Sequence, residues 1–327
     1  MSETKYFPTV EAIDKAAQVL DEILEPTPFQ RNANLSDIYD AEVYLKREDL
    51  QMVRSYKIRG AYNKIRTIDP ELVKNGIVCA SAGNHAQGVA FSCSKLKIMG
   101  SIFMPVTTPK QKIEQVRMFG KEFIEIILTG DTFDAANSAA IEYASANSKT
   151  FIPPFDDPKV MEGQGTIGRE ILSQSTAPLD YIFVPIGGGG LASGLGAYIN
   201  MMSPTTKIIG VEPGGAPCMK EAIKAGKVIK LEQIDKFVDG AAVQEAGALT
   251  YQVCKEVLDD IVVVPEGAVC TTIIQMYNKS AIVVEPAGAL SSAALRFYAD
   301  KIKGKKVACI VSGSNNDITR MEEIREK

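Results

Sequence analysis

From about residue 75 onward the chain alternates between two hydrophobic periods. Short β-branched runs bounded by turn residues read as buried strands: NGIVCASAG, SIFMPV, KEFIEIIL, LDYIFVPI, TKIIGVEP, DDIVVVP and KKVACIVSG. Between several of them apolar residues recur at helical spacing. NHAQGVAFSCSKL is one such stretch, and PKQKIEQVRMFG, with proline near its start, is another. A third is DTFDAANSAAIEYASA, where Asp131 is the expected N-cap. This alternation predicts an α/β fold of mainly parallel sheets flanked by crossover helices. At 327 residues the chain is long enough for two domains, yet no compositional shift marks a boundary and there is no repeat or low-complexity linker.

Composition narrows the classes. Hydrophobic residues make up 46% and charged residues 23%, as in ordinary globular enzymes. A net charge of −4 without any Lys/Arg block argues against a nucleic-acid partner. No apolar run approaches the roughly 20 residues that cross a bilayer, so no membrane is expected either. The start, MSETKYFPTVEAIDKAAQVL, has an early acidic residue and no apolar core, unlike a secretory signal. Cys79, Cys93, Cys218, Cys254, Cys270 and Cys309 are scattered without a C-x-x-C pair and read as reduced thiols of a cytoplasmic protein. The single histidine, His85, excludes a multi-histidine metal centre, and no metal is expected.

Three polar or glycine-rich clusters, SAGNH, GGGG and SGSNN, follow strand patterns, and parallel sheets bind ligands beyond the carboxyl ends of their strands. In IFVPIGGGGLASGLGAYI, the N–H groups of Gly187, Gly188, Gly189, Gly190 and Leu191 can surround an anion at the positive end of a helix. Gly187-x-Gly189-x-x-Ala192, with Glu212 ending the next strand, also fits a dinucleotide fingerprint, so a non-catalytic nucleotide-binding protein is an alternative here. In RSYKIRGAYNKI, Arg54 and Arg59 flank Lys57 and would depress its pKa, as a Schiff-base lysine requires. The spacing alone fits an exposed lysine on a basic helix end better. In SAGNHAQG, Ser81, Asn84 and the turn N–H groups suit a carboxylate, while His85 is either a general base or part of a helix cap. Glu285 is expected at a strand end, Ser312 after the last strand, and Gly163 and Gly165 near a helix start for close packing or ligand approach.

Taken in order, SYKIRGA, SAGNHAQG, FDDPKVMEGQGTIG, PIGGGGL, VEPAGA and VSGSNN resemble the signatures of the threonine dehydratase branch of the fold-type II pyridoxal-phosphate enzymes. The resemblance implies a two-domain, tryptophan synthase β-like α/β fold. Residues 1–62 and 150–327 would form the large cofactor-binding domain and 63–149 the small one. By the same resemblance Lys57 carries pyridoxal 5'-phosphate, with Tyr56 beside the ring where the family more often has Phe. Asn84 bonds the ring hydroxyl, Gly187, Gly188, Gly189, Gly190 and Leu191 hold the phosphate, and Ser312 meets the pyridine nitrogen. Ser81, Ala82, Gly83, Asn84 and His85 form the turn that takes the substrate carboxylate, with His85 as a packing residue.

The implied reaction is α,β-elimination of water from L-threonine, yielding 2-oxobutanoate and ammonia, with L-serine also accepted. A serine hydroxyl is a far weaker acid than a pyridinium, so Ser312 implies a neutral pyridine and prompt loss of the β-hydroxyl. L-serine dehydratase or serine racemase is the alternative on this fold. Ala82 stands where racemases have a serine acid/base, which predicts dehydration without efficient racemisation. Related racemases also resemble one another in a cation site of glutamate and aspartate; here Glu212 is present but Cys218 stands at the aspartate position. A β-replacement enzyme resembling cysteine synthase is disfavoured because its asparagine loop differs from SAGNHAQG. Biosynthetic relatives carry a further domain that senses isoleucine. The end at ITRMEEIREK fits either a short unregulated type or a catalytic portion separated from such a domain. A homodimer or homotetramer is the family expectation.

Overall fold

The computed structural model describes residues 6–327; residues 1–5, where the segment read as lacking a secretory signal begins, lie outside the described residues. Ten strands run through it: β1 (Phe29–Arg31), β2 (Glu42–Arg47), β3 (Ile77–Ala80), β4 (Gly100–Met104), β5 (Ile124–Leu128), β6 (Thr150–Phe151), β7 (Tyr181–Pro185), β8 (Lys207–Pro213), β9 (Asp260–Val264) and β10 (Lys306–Val311). They form a six-stranded sheet, β1-β2-β10-β7-β8-β9, and a four-stranded sheet, β5-β4-β3-β6. Every pairing is parallel except β1 with β2. The α/β class with mainly parallel sheets is therefore what the structure contains.

The large sheet is buried on both faces, which is why its strands read as near-continuous apolar runs rather than alternating ones. On β10, Val307, Cys309 and Val311 face one core beside Phe183 and Leu290, while Ala308 and Ile310 face another beside Ile182 and Leu195. The small sheet likewise packs Ile77, Cys79 and Ile102 against the helix Asn84–Leu96 and Val78 and Phe103 against the helix Phe133–Ala146. Strand β2 carries no clean pattern because Lys46 points into the interior. Its ammonium meets Glu170 at 2.5 Å and the Thr27 carbonyl at 2.8 Å.

The helix Lys57–Thr67 lies against the helix Pro158–Gln174 with backbones nearly touching. A Cβ on Gly163 would stand 2.6 Å from the Arg59 carbonyl oxygen. Gly165 plays the same part against Gly194, whose carbonyl would lie 2.9 Å from its Cβ. Both glycines sit inside the helix, where the close backbone approach leaves no room for a side chain.

Two local expectations are corrected. The N-cap of the helix Phe133–Ala146 is Thr132, extended at φ −126° and accepting the Ala135 N–H at 3.2 Å, so Asp131 stands one residue too early. Glu285 ends no strand; it is the residue preceding the helix Pro286–Ala293, and its own N–H donates to the Gly313 carbonyl at 3.2 Å. Val283 and Val284 gave the segment a strand-like look, yet no neighbouring strand is there to pair with it.

Candidate functional site

The carboxyl ends of β3, β7 and β10 bring SAGNH, GGGG and SGSNN to one side of the molecule, and Lys57 stands among them. The chain turns sharply at Arg54 (φ 59°), Ser55 bridges to Gly313, and the Tyr56 N–H donates to the Ser312 carbonyl at 3.1 Å. Lys57 is then the first residue of its helix. Its amine donates to the Pro154 carbonyl at 2.9 Å and sits 5.5 Å from the Tyr56 ring centroid.

Burial lowers the Lys57 pKa to about 8, partly opposed by the charge of Glu285. The arginine neighbours are not the cause. Arg54 is exposed, and Arg59 turns away into the interior. There it meets both Glu48 oxygens at 2.8 Å and Glu170 at 2.6 Å. What lowers the pKa of the amine is loss of hydration. The buried Arg59–Glu48–Glu170–Lys46 cluster instead anchors the first turn of the helix that carries Lys57.

Opposite this amine, three segments far apart in sequence share one hydrogen-bond network. The Asn84 amide donates to Glu285 at 2.6 Å, and the Asn315 amide donates to the Asn84 oxygen at 2.7 Å. The Asn315 N–H reaches the other Glu285 oxygen at 3.0 Å. Burial and the charge of Asp239 push the Glu285 carboxyl up to about 7. One N–H of the Asn84 amide remains available to a ligand. The Ser312 hydroxyl donates to the Ala287 carbonyl at 3.2 Å, which leaves its lone pairs free to accept.

In the SAGNH turn the Ser81 hydroxyl oxygen accepts the Gly83 N–H at 3.1 Å, which bends the chain into the helix beginning at Asn84. Ala82 and Gly83 form the tip, and a Cβ on Gly83 would meet nothing within 4 Å. The leading N–H groups of that helix suit a carboxylate. His85 is buried with Nε2 donating to the Ile152 carbonyl at 3.0 Å. Burial and the charge of Lys57 depress its pKa to about 3, which favours the neutral imidazole.

The glycine turn completes the constellation. Gly189 adopts φ 94°, and Gly188, Gly189 and Gly190 are buried. Among the described residues, the N–H groups of Gly187, Gly188 and Gly189 donate to no protein acceptor. Those of Gly190 and Leu191 open a helix and are unpaired by construction. Buried N–H groups without acceptors are costly unless an anion takes them, so the cradle fits a phosphate. A Cβ at Gly188 would lie 2.4 Å from the Phe155 ring, leaving no room for any side chain in the turn. Pro154 on Lys57 and Phe155 on Gly188 are consecutive residues, so a single loop ties the amine to the cradle. Leu191 itself packs into the core beneath.

The dinucleotide alternative needs Glu212 facing a ribose. Instead it is fully buried, and its oxygens accept the Met219 and Lys220 N–H groups at 2.7 and 2.9 Å. Burial raises its pKa to about 7. No group of three or more potential metal-ligating side chains occurs among the described residues.

Glu285 in VEPAGA, Asn315 in SGSNN and Phe155 in FDDPK join the site although pattern reasoning assigned them no role there, and their place in those motifs was the available signal; Pro154 lies just outside FDDPK and acts through its backbone carbonyl. Asp156 and Asp157 show why two aspartates stand together: Asp157 caps the helix Pro158–Gln174, and Asp156 caps the helix Ala248–Val257 across the molecule.

Residues 20–313 match the family described as pyridoxal-phosphate dependent enzyme. A biosynthetic L-threonine dehydratase, IlvA, of Halalkalibacterium halodurans is 58% identical over 318 residues, covering 97% of this chain and 77% of that protein. The processed form of threonine deaminase isoform 2 from Solanum lycopersicum superposes with a TM-score of 0.92 at 36% identity, covering 100% of this chain and 96% of that one. Maize serine racemase superposes with a TM-score of 0.90 at 29% identity, covering 98% of each.

Proposed function

The chain belongs to the pyridoxal-phosphate dependent enzyme family, and from that premise we propose that it deaminates L-threonine to 2-oxobutanoate and ammonia by α,β-elimination of water. The observation that carries the reading is the Lys57 amine, its pKa lowered by burial and its position tied through Pro154 and Phe155 to a buried glycine turn whose N–H groups lack acceptors.

The residues fit the cofactor. Lys57 would anchor it, Tyr56 would pack beside its ring, and Asn84 would hold the ring hydroxyl with its remaining N–H. Gly187 to Gly190 and Leu191 would hold its phosphate, and the Ser312 hydroxyl would donate to its nitrogen. When bound, pyridoxal 5'-phosphate supplies a conjugated ring that disperses the charge left at Cα by proton removal. Lys57 would take that Cα proton, a task favoured by a pKa lowered toward working pH. The SAGNH turn orients the substrate through its carboxylate, with Ser81 shaping the bend and neutral His85 holding it from behind. Ala82 has no proton to deliver to the opposite face, which supports elimination over racemisation.

L-serine lacks one methyl of L-threonine, a difference worth only about 1–3 kcal/mol, so it belongs to the proposed substrate range. The same reading places the chain in isoleucine biosynthesis, in the cytoplasm, as a homodimer or homotetramer; no described helix is long and apolar enough to cross a membrane. It also treats residues 63–149 as a small domain distinct from 1–62 and 150–327. The separate four-stranded sheet supports that division, with β6 just beyond its edge. The test is turnover of L-threonine by the purified protein and by Lys57→Ala. Formation of 2-oxobutanoate by the first and none by the second is expected; equal formation by both would remove Lys57 from the reaction.

A further inference from the structure

The carbonyls of Gly187, Gly188 and Gly189 are held by side-chain donors from outside the turn, one on the helix Cys218–Ala225 and two on the helix Ala248–Val257. The Cys218 thiol reaches the Gly187 carbonyl at 3.5 Å. The Thr250 hydroxyl donates to the Gly188 carbonyl at 2.6 Å, and the Gly247 N–H adds a longer bond at 3.3 Å. The Cys254 thiol reaches the Gly189 carbonyl at 3.7 Å, beside the Ser193 N–H at 2.9 Å.

A trans peptide is planar, and its C=O and N–H point in opposite directions. No cis peptide occurs among the described residues. Fixing the carbonyls of Gly187, Gly188 and Gly189 therefore aims the N–H groups of Gly188, Gly189 and Gly190 to the opposite side, where they form the cradle. A donor on the carbonyl also polarises the peptide and strengthens the N–H as a donor. Glycines alone would not hold this arrangement, because their φ and ψ are the freest in the chain.

We propose that Thr250 is a positioning residue for the cofactor phosphate: its hydroxyl, backed by the Cys218 and Cys254 thiols, locks the glycine turn with its N–H groups facing the anion. Thr250 is itself fully buried and placed by the Asp156 carboxylate, which accepts the N–H groups of Ala248, Leu249 and Thr250 at 3.0, 2.9 and 3.1 Å. Burial raises both thiols far above their ordinary range, so they remain S–H donors. The Thr250 bond is the shortest of the three and comes from the strongest donor, so the main effect belongs to it.

The proposal rests on the glycine turn being the phosphate cradle, and the experiment separates the two. Apoprotein is titrated with pyridoxal 5'-phosphate and with pyridoxal, which lacks the phosphate, and the bound phosphate is followed by ³¹P NMR. Thr250→Val, which keeps the shape and removes the donor, should weaken binding of the phosphorylated form about tenfold. It should leave pyridoxal binding unchanged and move the phosphorus resonance toward that of free cofactor, while Thr250→Ser restores affinity and resonance. Equal binding of both ligands to Thr250→Val and wild type would overturn the proposal. So would an equal loss for both ligands, which marks a merely structural residue. Wild-type protein with no preference for the phosphorylated form would overturn the cradle reading itself. Should Thr250→Val not fold, the double variant Cys218→Ala, Cys254→Ala puts the same question through the two flanking carbonyls. A severalfold loss confined to the phosphorylated ligand supports the proposal, and unchanged binding overturns it.

Discussion

Lys57 should titrate far below an ordinary lysine in the protein without cofactor. Among the described residues its amine has one hydrogen bond, to the Pro154 carbonyl, and no carboxylate within ion-pair distance. The counter-charge that acts on it is Glu285, itself raised to about 7 and so incompletely ionised at neutral pH. With the Lys57 pKa at about 8, half of its amine is free at pH 8. An ordinary lysine at about 10.4 has roughly 0.4% free there, a difference on the order of 100-fold in available nucleophile. Competitive labelling of apoprotein with a trace amine-directed reagent reads this directly, with peptides quantified by mass spectrometry from pH 6 to 11 and exposed lysines such as Lys255 as internal reference. The midpoint is the quantity to compare, because intrinsic nucleophilicity falls as the pKa falls. Lys57 should show its midpoint near 8, and Glu285→Gln, which removes the charge favouring the ammonium, should move it lower. A Lys57 midpoint coincident with that of the reference lysines would refute the claim that burial lowers the pKa of this amine. A rise in Glu285→Gln would refute the assigned electrostatics.

Three further outcomes follow from packing and charge. Gly188→Ala places a methyl 2.4 Å from the Phe155 ring; overpacking of this kind costs about 1–3 kcal/mol, and a thermal melt together with cofactor titration should show both stability and affinity falling. Arg59→Met strips the partner from buried Glu48 and should cost about 3–5 kcal/mol in urea unfolding, with the paired change Arg59→Met, Glu48→Leu recovering much of it. Glu212 has a folded-state pKa near 7, above its unfolded value. The folded protein thus binds more protons between the two, and this contribution, complete below the unfolded pKa of about 4.3, is lost as pH rises through about 7. Unfolding measured from pH 5 to 8 should show that decline in wild type and a flatter profile in Glu212→Gln.

Much of the site was legible because its motifs are local. Strand, glycine turn and helix are contiguous around Gly187–Leu191, and SAGNHAQG carries its own bend and helix start. The Asn84–Glu285–Asn315 network was not legible as a network, since its members lie 201 and 231 residues apart in pairs and only the sheet order makes them neighbours. The contact between Lys57 and Pro154 uses a backbone carbonyl, a group every residue possesses, so no residue type announces it. Thr250 lies outside every motif singled out, in a stretch whose pattern is simply that of an amphipathic helix.

The sequence by itself determined the class of fold and the succession of its principal strands along the chain, because hydrophobic period is a property of neighbouring residues, and it singled out Lys57 only through the resemblance of a short motif. Tertiary structure alone decided why the pKa of that lysine is lowered. The two arginines beside it in sequence suggested charge repulsion, but Arg59 is drawn inward by Glu48 and Glu170 and Arg54 faces solvent, leaving desolvation as the cause. Proximity along the chain measures how near two residues can be. Burial, which sets the energy of a charge, depends on what the rest of the fold packs around it.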